Sequence, residues 1–187
     1  MACIYGDVNR IETTGASQQT ANQDNLSMQG VSASHELART DLSRVNQYKD
    51  AIQRAAQDHQ IDPAVVAAII SRETRGGSPH VMSDGWGDHG YAFGLMQVDK
   101  RHHKPEGEWN SQQHINQGTK ILASFINQMK AKFPSWSKEQ QLKGGIAAYN
   151  CGDQRVCSYE GIDSSTTGRD YSNDVVARAQ FYKRNGF

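Results

Sequence analysis

The 187-residue chain lacks a long hydrophobic run. Its longest uninterrupted apolar stretch, Ala64 to Ile70, falls far short of the ~20 residues that a bilayer-spanning helix needs. An excess of one charge is missing too: 20 Lys and Arg face 20 Asp and Glu. No global field therefore draws the chain to nucleic acid or to an acidic membrane. Its seven histidines add positive charge only as the pH falls below about 6.5. Cysteine is scarce and odd in number, and three thiols cannot close a disulfide framework. Free thiols are expected, with Cys151 and Cys157, six apart, the one pair close in sequence. Four prolines among 17 unperiodic glycines exclude collagen, and the absence of sustained heptads excludes a coiled coil. The hydrophobic share is modest at 36%, but a chain of this length buries enough surface to hold a core without staples. There is no P-loop, no GxGxxG and no GxSxG. The start, Met1 to Gly15, lacks the basic-then-apolar pattern of a signal peptide. Asn25-Leu26-Ser27 is a glycosylation sequon only if the chain is secreted.

What is present is helical period. Residues 1–33 are rich in Gln, Ser, Thr and Asn and predict an irregular extension packed on the domain. From Ser34, apolar residues Leu37, Ala38, Leu42, Val45, Tyr48, Ile52, Ala55 and Ala56 step by threes and fours, which predicts one amphipathic helix. Asp62-Pro63 is a helix start, an N-cap carboxylate followed by proline at the first helical position. The next seven residues, Ala64 to Ile70, are apolar all round, so this helix belongs in the centre of the domain. It runs on through Thr74 to a stop at Gly76-Gly77. Residues 76–109 hold seven glycines and predict short strands or a tight hairpin. Helical period resumes near Ser111 and stops at Pro134; Ser137-x-x-Gln140 predicts a capping box; a last helix runs from about Asp170 to Gly186. The fold expected is mainly α, a central buried helix surrounded by helices, with a small β or irregular insert, in one domain over 1–187.

Glu73 carries the most chemical information. It ends a helix whose preceding residues are core, where desolvation and the negative end of the helix dipole both disfavour its charge. A carboxyl group kept protonated near neutrality is what general acid catalysis requires. The alternative is that Glu73 turns outward or pairs with Arg72 or Arg75. Asp88 and Asp99 lie in the following Gly-rich insert, with Trp86, Tyr91 and Phe93 offering faces to sugar rings. Glycoside hydrolysis needs one protonated and one ionised carboxyl group across the bond, although Asp is also an ordinary turn residue. The basic run Lys100 to Lys104 is either a solvated loop or a contact for an anionic polymer beside Asp99. His102-His103 makes no metal pair, because no Cys or carboxylate at zinc spacing joins it. Tyr149-Asn150 either closes a helix or presents a ring and an amide to a polar ligand.

These residues sit in blocks that resemble goose-type lysozymes over nearly the whole chain. The most specific blocks are Ile69-Ile70-Ser71-Arg72-Glu73, Gly85-Trp86-Gly87-Asp88, Phe93 to Arg101, Phe133-Pro134-Ser135-Trp136 and Gln141 to Ile146. The resemblance implies a lysozyme-like fold, hydrolysis of the β-1,4 bond between N-acetylmuramic acid and N-acetylglucosamine in peptidoglycan, and an antibacterial purpose; inversion is expected because Glu73 ends a rigid helix while Asp88 and Asp99 come from a separate Gly-rich insert, which leaves room for a water. The resemblance also implies Glu73 as general acid and Asp88 and Asp99 as candidates for activating water. By the same resemblance Gln97, His103, Phe125, Tyr149 and Asn150 contact sugar, with Tyr171 carried over from a looser match. Bacterial peptidoglycan and chito-oligosaccharides are the partners implied, with no metal, no cofactor, no nucleic acid and a monomeric enzyme. An extracellular location follows from the resemblance, while the start of the chain leaves a cytoplasmic location or another export route open. The four cysteines that form two disulfides in bird members align with Ile4, Gln18, Gln29 and Gln60, and Cys151 replaces an Ala, so the chain looks like the disulfide-free branch known from fish. A lytic transglycosylase and an inactive wall-binding lectin are the competing functions. Asp88 and Asp99 argue for the hydrolase over the first, and retained Glu73 argues against the second.

Overall fold

The computed structural model describes residues 3–187; Met1 and Ala2, the first residues of the expected extension, lie outside the described residues. In chain order the helices are α1 (Gln18–Ala21), α2 (Val31–Asn46), α3 (Lys49–His59), α4 (Pro63–Thr74), α5 (Gln112–Lys132), α6 (Lys138–Cys151) and α7 (Tyr171–Arg184). Three two-residue strands, β1 (Trp86–Gly87), β2 (Ala92–Phe93) and β3 (Val98–Asp99), form an antiparallel sheet in that order between α4 and α5. Trp86 faces Phe93, and Ala92 faces Asp99. The expected fold class is the observed one: mainly helical, with a small β insert.

Helix α4 is the axis of the fold. The Asp62 carboxylate accepts the Ala64 N–H at 2.9 Å and Pro63 occupies the first turn. Every residue from Ala64 to Ser71 is buried. Helices α2, α3 and α7 pack around α4, while α5 packs on α3 and α6. The helix ends one residue before the glycines, on Arg75, which takes the left-handed conformation (φ 55°). Its guanidinium is held by Asp41 and Asp24, so side-chain contacts fix a backbone state that the sequence assigns to glycine.

Two buried aspartates organise this end of α4. Asp41 of α2 accepts from Ser71 (2.7 Å), Arg44 (2.8 Å) and Arg75 (2.9 Å). Asp174 of α7 accepts from Ser34 (2.7 Å), Arg72 (2.8 Å) and Arg178 (3.0 Å). Burial opposes the Asp174 charge, but Arg178 and Arg72 outweigh it and hold its pKa below the ordinary value. Desolvation offsets most of the Coulomb gain of such a network. Its consequence is placement: α2, α4 and α7 are tied at the residue before Glu73.

Two expectations change. The single helix expected from Ser34 is two helices. It begins earlier, at Val31, after Gly30 (φ 85°), whose backbone pairs with Ala16. It then breaks at Gln47–Tyr48, where the backbone tightens into bonds to Arg44 and Val45. The apolar stripe crosses the break unbroken, because Val45, Ile52, Ala55 and Ala56 are all fully buried. Periodicity reads the stripe and cannot read the break. The N-terminal extension is more ordered than expected. Short helical turns form at Val8–Arg10, Gln18–Ala21 and Asn22–Asp24, and Val8, Ile11 and Ala21 are buried. Lys143 on α6 bonds the Glu12 carbonyl (3.0 Å), and Gln180 on α7 bonds those of Val8 (3.0 Å) and Ile11 (2.9 Å). The expected capping box is present, with the Gln140 N–H on Ser137 Oγ (3.1 Å) and the Ser137 N–H on Gln140 Oε1 (2.9 Å). Cys3, Cys151 and Cys157 are all free thiols. No helix among the described residues is long and apolar enough to cross a membrane.

Candidate active site

Glu73 occupies the last turn of α4. Its neighbours are engaged elsewhere: Arg72 binds Asp170 (3.0 Å) and Asp174 (2.8 Å), and Arg75 binds Asp24 and Asp41. The Glu73 carboxylate instead accepts the Tyr171 hydroxyl at 2.9 Å. Burial raises its pKa from 4.5 to about 7; the Tyr171 bond and the Arg72 charge work the other way, and the Asp88 charge adds to the rise. The carboxyl group is thus a proton donor that is still charged with its proton close to neutrality. Tyr171, expected among the sugar contacts, is buried and bound to Glu73. Burial and the Glu73 charge push its own pKa well above the ordinary value.

The two aspartates come from opposite edges of the sheet. Asp99 ends β3 and lies in the fork of Arg101, at 2.9 Å from Nε and 2.6 Å from Nη2, and it also accepts the Arg101 backbone N–H (2.9 Å). The Arg101 bonds hold the Asp99 carboxyl below its ordinary pKa. Asp88 follows β1 in a left-handed conformation (φ 49°), as does His89 (φ 56°). Left-handed backbone at non-glycine residues costs on the order of 1 kcal/mol or more and is concentrated where a side chain must be aimed. Asp88 is exposed, and the Nη2 of Arg101 comes within 3.9 Å of it. Arg101 therefore stands between the two carboxylates. The basic run is neither a plain solvated loop nor a uniform anion contact at this position.

A groove of about 910 Å³ opens along the β3 edge. Gln97, Asp99, His103, Phe125, Tyr149 and Asn150 all line it. Gln97 is left-handed (φ 52°) and donates to the Gly94 carbonyl (2.9 Å), with its amide so close to Gly87 that a Cβ there would lie 2.4 Å from Oε1. Asn150 accepts the Thr167 N–H (2.9 Å), which orients its amide at the end of α6. Tyr149 donates its hydroxyl to the Met96 carbonyl (2.6 Å), and burial with the Glu73 charge raises its pKa well above the ordinary value. Glu73 itself does not line this groove, but its charge acts on Tyr149, which does. Asp88 lines a smaller cleft of about 520 Å³ on the β1 edge, with Trp86, His80 and Met82. A half-buried acid with its proton, the aspartate side chains of the sheet and an elongated polar and aromatic groove are the parts that cleavage of a polysaccharide requires.

The family model described as Lysozyme g matches residues 5–186. The chain belongs to the lysozyme g family. Among its relatives, lysozyme g of Casuarius casuarius is 55% identical over 183 residues, which cover 98% of each chain. Lysozyme g of Cyprinus carpio is 54% identical over 187 residues, covering 100% of both. Lysozyme g of Gallus gallus is 54% identical over 98% of this chain and 86% of that relative. The chain is accordingly a glycoside hydrolase, a lysozyme.

Sequence reasoning missed two parts of this lysozyme site. Arg101 belongs in sequence to a basic run, yet Asp99-Lys100-Arg101 places acid and guanidinium two residues apart at a strand end, a spacing that permits the observed fork. The Arg72–Asp170–Asp174 contact, which turns Arg72 away from Glu73 and seats Tyr171 upon it, joins residues about a hundred positions apart and leaves no local signal. Among the described residues no group of His, Cys, Asp and Glu is placed to hold a metal ion.

Proposed function

We propose that the chain hydrolyses the β-1,4 bond between N-acetylmuramic acid and N-acetylglucosamine in peptidoglycan, with inversion, as an extracellular antibacterial enzyme. The observation that carries this reading is the Glu73 carboxyl group, raised to about 7 by burial and paired with neither Arg72 nor Arg75. Glu73 gives its proton to the glycosidic oxygen as the bond to the anomeric carbon breaks. A water molecule attacks that carbon from the opposite face and passes its proton to an aspartate. Asp99, kept ionised by Arg101, and Asp88, whose charge reaches Glu73, are the two bases available. Gln97, His103, Phe125, Tyr149 and Asn150 bind the glycan along the groove, and Tyr171 orients Glu73. Chito-oligosaccharides fit the same groove as smaller substrates. The chain acts as a monomer; it works as one domain over 1–187, a reading supported by the bonds of the N-terminal segment to α6 and α7.

Inversion follows from where the acids come from. A retaining enzyme holds its two carboxyl groups about 5–5.5 Å apart, and an inverting one leaves roughly 6.5–9.5 Å for a water. Glu73 is fixed at a helix end, whereas Asp99 ends β3 and Asp88 follows β1 in the separate insert. Proton NMR on freshly cleaved oligosaccharide is expected to show the α-anomer first. Initial β-product would overturn the water-mediated mechanism, and a 1,6-anhydro end, one water lighter by mass, would replace hydrolysis by transglycosylation.

A further inference from the structure

Three helices converge on the turn between β2 and β3. Thr74 of α4, the residue after Glu73, donates its hydroxyl to the Leu95 carbonyl at 2.9 Å. Tyr149 of α6 donates to the Met96 carbonyl at 2.6 Å. From α5, Nε2 of His114 accepts the Met96 N–H at 3.0 Å. The Leu95 N–H goes to the Trp109 carbonyl and the Gln97 N–H to that of Gly94, both at 3.0 Å. The turn is held from every side, and it delivers Gln97 and then Asp99 to the groove.

His114 differs from the other anchors. Its ring is fully buried beneath the turn, so close that a Cβ on Gly94 would lie 2.4 Å from Cε1 and 2.5 Å from Nε2. Phe93 meets it edge-on at 5.7 Å. Because Nε2 accepts a proton-bearing amide, the ring must be neutral with its hydrogen on Nδ1. Nδ1 is buried with no hydrogen-bond partner among the described residues. Phe93, Gly94 and the Met96 amide pack on the ring, and no charged group among the described residues shifts it. Burial alone lowers its pKa from 6.5 to about 4. A second proton on the ring places an N–H against the Met96 N–H, and that bond is lost.

We propose that His114 is a positioning residue of this lysozyme: the neutral imidazole holds the β2–β3 turn so that Gln97 and Asp99 face the groove, and protonating it releases the turn and stops the reaction in acid. This rests on the reading that the groove is the active site. His114 touches no substrate and acts only through the Met96 amide. Sequence reasoning had no means to find it, since His114 sits at a core position of a helix's first turn.

The test uses the full chain with His114→Gln, whose amide oxygen can accept the Met96 N–H but does not titrate, and His114→Leu, which cannot accept. In the wild type the lytic rate is expected to fall reversibly by about tenfold per pH unit below the titration of the ring. Arg101 holds Asp99 below its ordinary value, and the Met96 amide reports the ring separately from it. His114→Gln should keep most of the rate at pH 6 and shift the acid limb down by about one unit or more. His114→Leu should lose about tenfold in kcat at pH 6, with KM changed less, as one lost hydrogen bond implies. An acid limb unmoved in His114→Gln, or a full rate in folded His114→Leu, overturns the proposal. A readout without substrate covers variants that fail to fold. In wild-type NMR spectra the Met96 amide should shift with the His114 ring, with a common midpoint near 4; a Met96 amide that ignores the ring's titration overturns the proposal. A wild type that lyses no wall at any pH refutes the functional reading while leaving this arm decisive for the turn.

Discussion

Glu73→Gln is expected to leave a folded protein with at most about a hundredth of the wild-type lytic rate, because general acid catalysis contributes typically 10²–10⁴-fold. The amide has nearly the size of the carboxyl group and can still accept the Tyr171 hydroxyl, so the packing at the end of α4 is kept. It lacks only the proton that the leaving oxygen needs. Stability should not suffer, because the ion pairs around this turn belong to Arg72 and Arg75 and none reaches Glu73. The comparison to make is lysis of bacterial walls by variant and wild type at equal folded concentration, with melting temperatures measured in parallel. A Glu73→Gln variant that melts normally and turns over at a near-normal rate would remove Glu73 from the mechanism.

The second large effect is expected from the aspartates taken together. Asp88→Asn and Asp99→Asn should each cost less than Glu73→Gln, and the double variant should approach the same loss of about 10²-fold or more. The reason is shared position around one cation. Arg101 lies 2.6 Å from Asp99 and 3.9 Å from Asp88, so it faces a remaining carboxylate when either is neutralised. Either carboxylate can then take the proton of an attacking water. Asp99→Asn also removes the partner that anchors Arg101, and Asp88→Asn removes the charge that adds to the rise at Glu73. The single variants should therefore differ in pH profile: Asp88→Asn lowers the Glu73 pKa and draws the alkaline limb inward. Rates of the three variants against pH distinguish shared duty from a single base, which would show as one single variant as inactive as the double.

The fold was legible in sequence where a local rule had a single physical cause. Asp62-Pro63 capped α4, the apolar run after it demanded burial, and Ser137 and Gln140 closed their box. Boundaries set by tertiary contacts were not legible: Arg75 ends α4 because two distant aspartates hold it, and Gly30 starts α2 because Ala16 pairs with it. Glu73 could be found from one window, since a carboxylate at the end of an apolar helix is an anomaly that asks for a reason. Its freedom from Arg72 and Arg75 could not, because it depends on Asp170, Asp174 and Asp41 folding back from other helices. Tyr171 bonds Glu73, and nothing in its own segment reports that partner.

The central claim is that burial keeps Glu73 protonated into the neutral range. Carboxyl carbon NMR on selectively labelled protein, titrated from acid to alkaline pH without substrate, measures this directly. Glu73 should titrate near 7, and the alkaline limb of wall lysis should share its midpoint, since activity is lost as the pH rises through the pKa of the acid. A Glu73 carboxyl that titrates at or below its ordinary value of 4.5 would contradict its role as the proton donor.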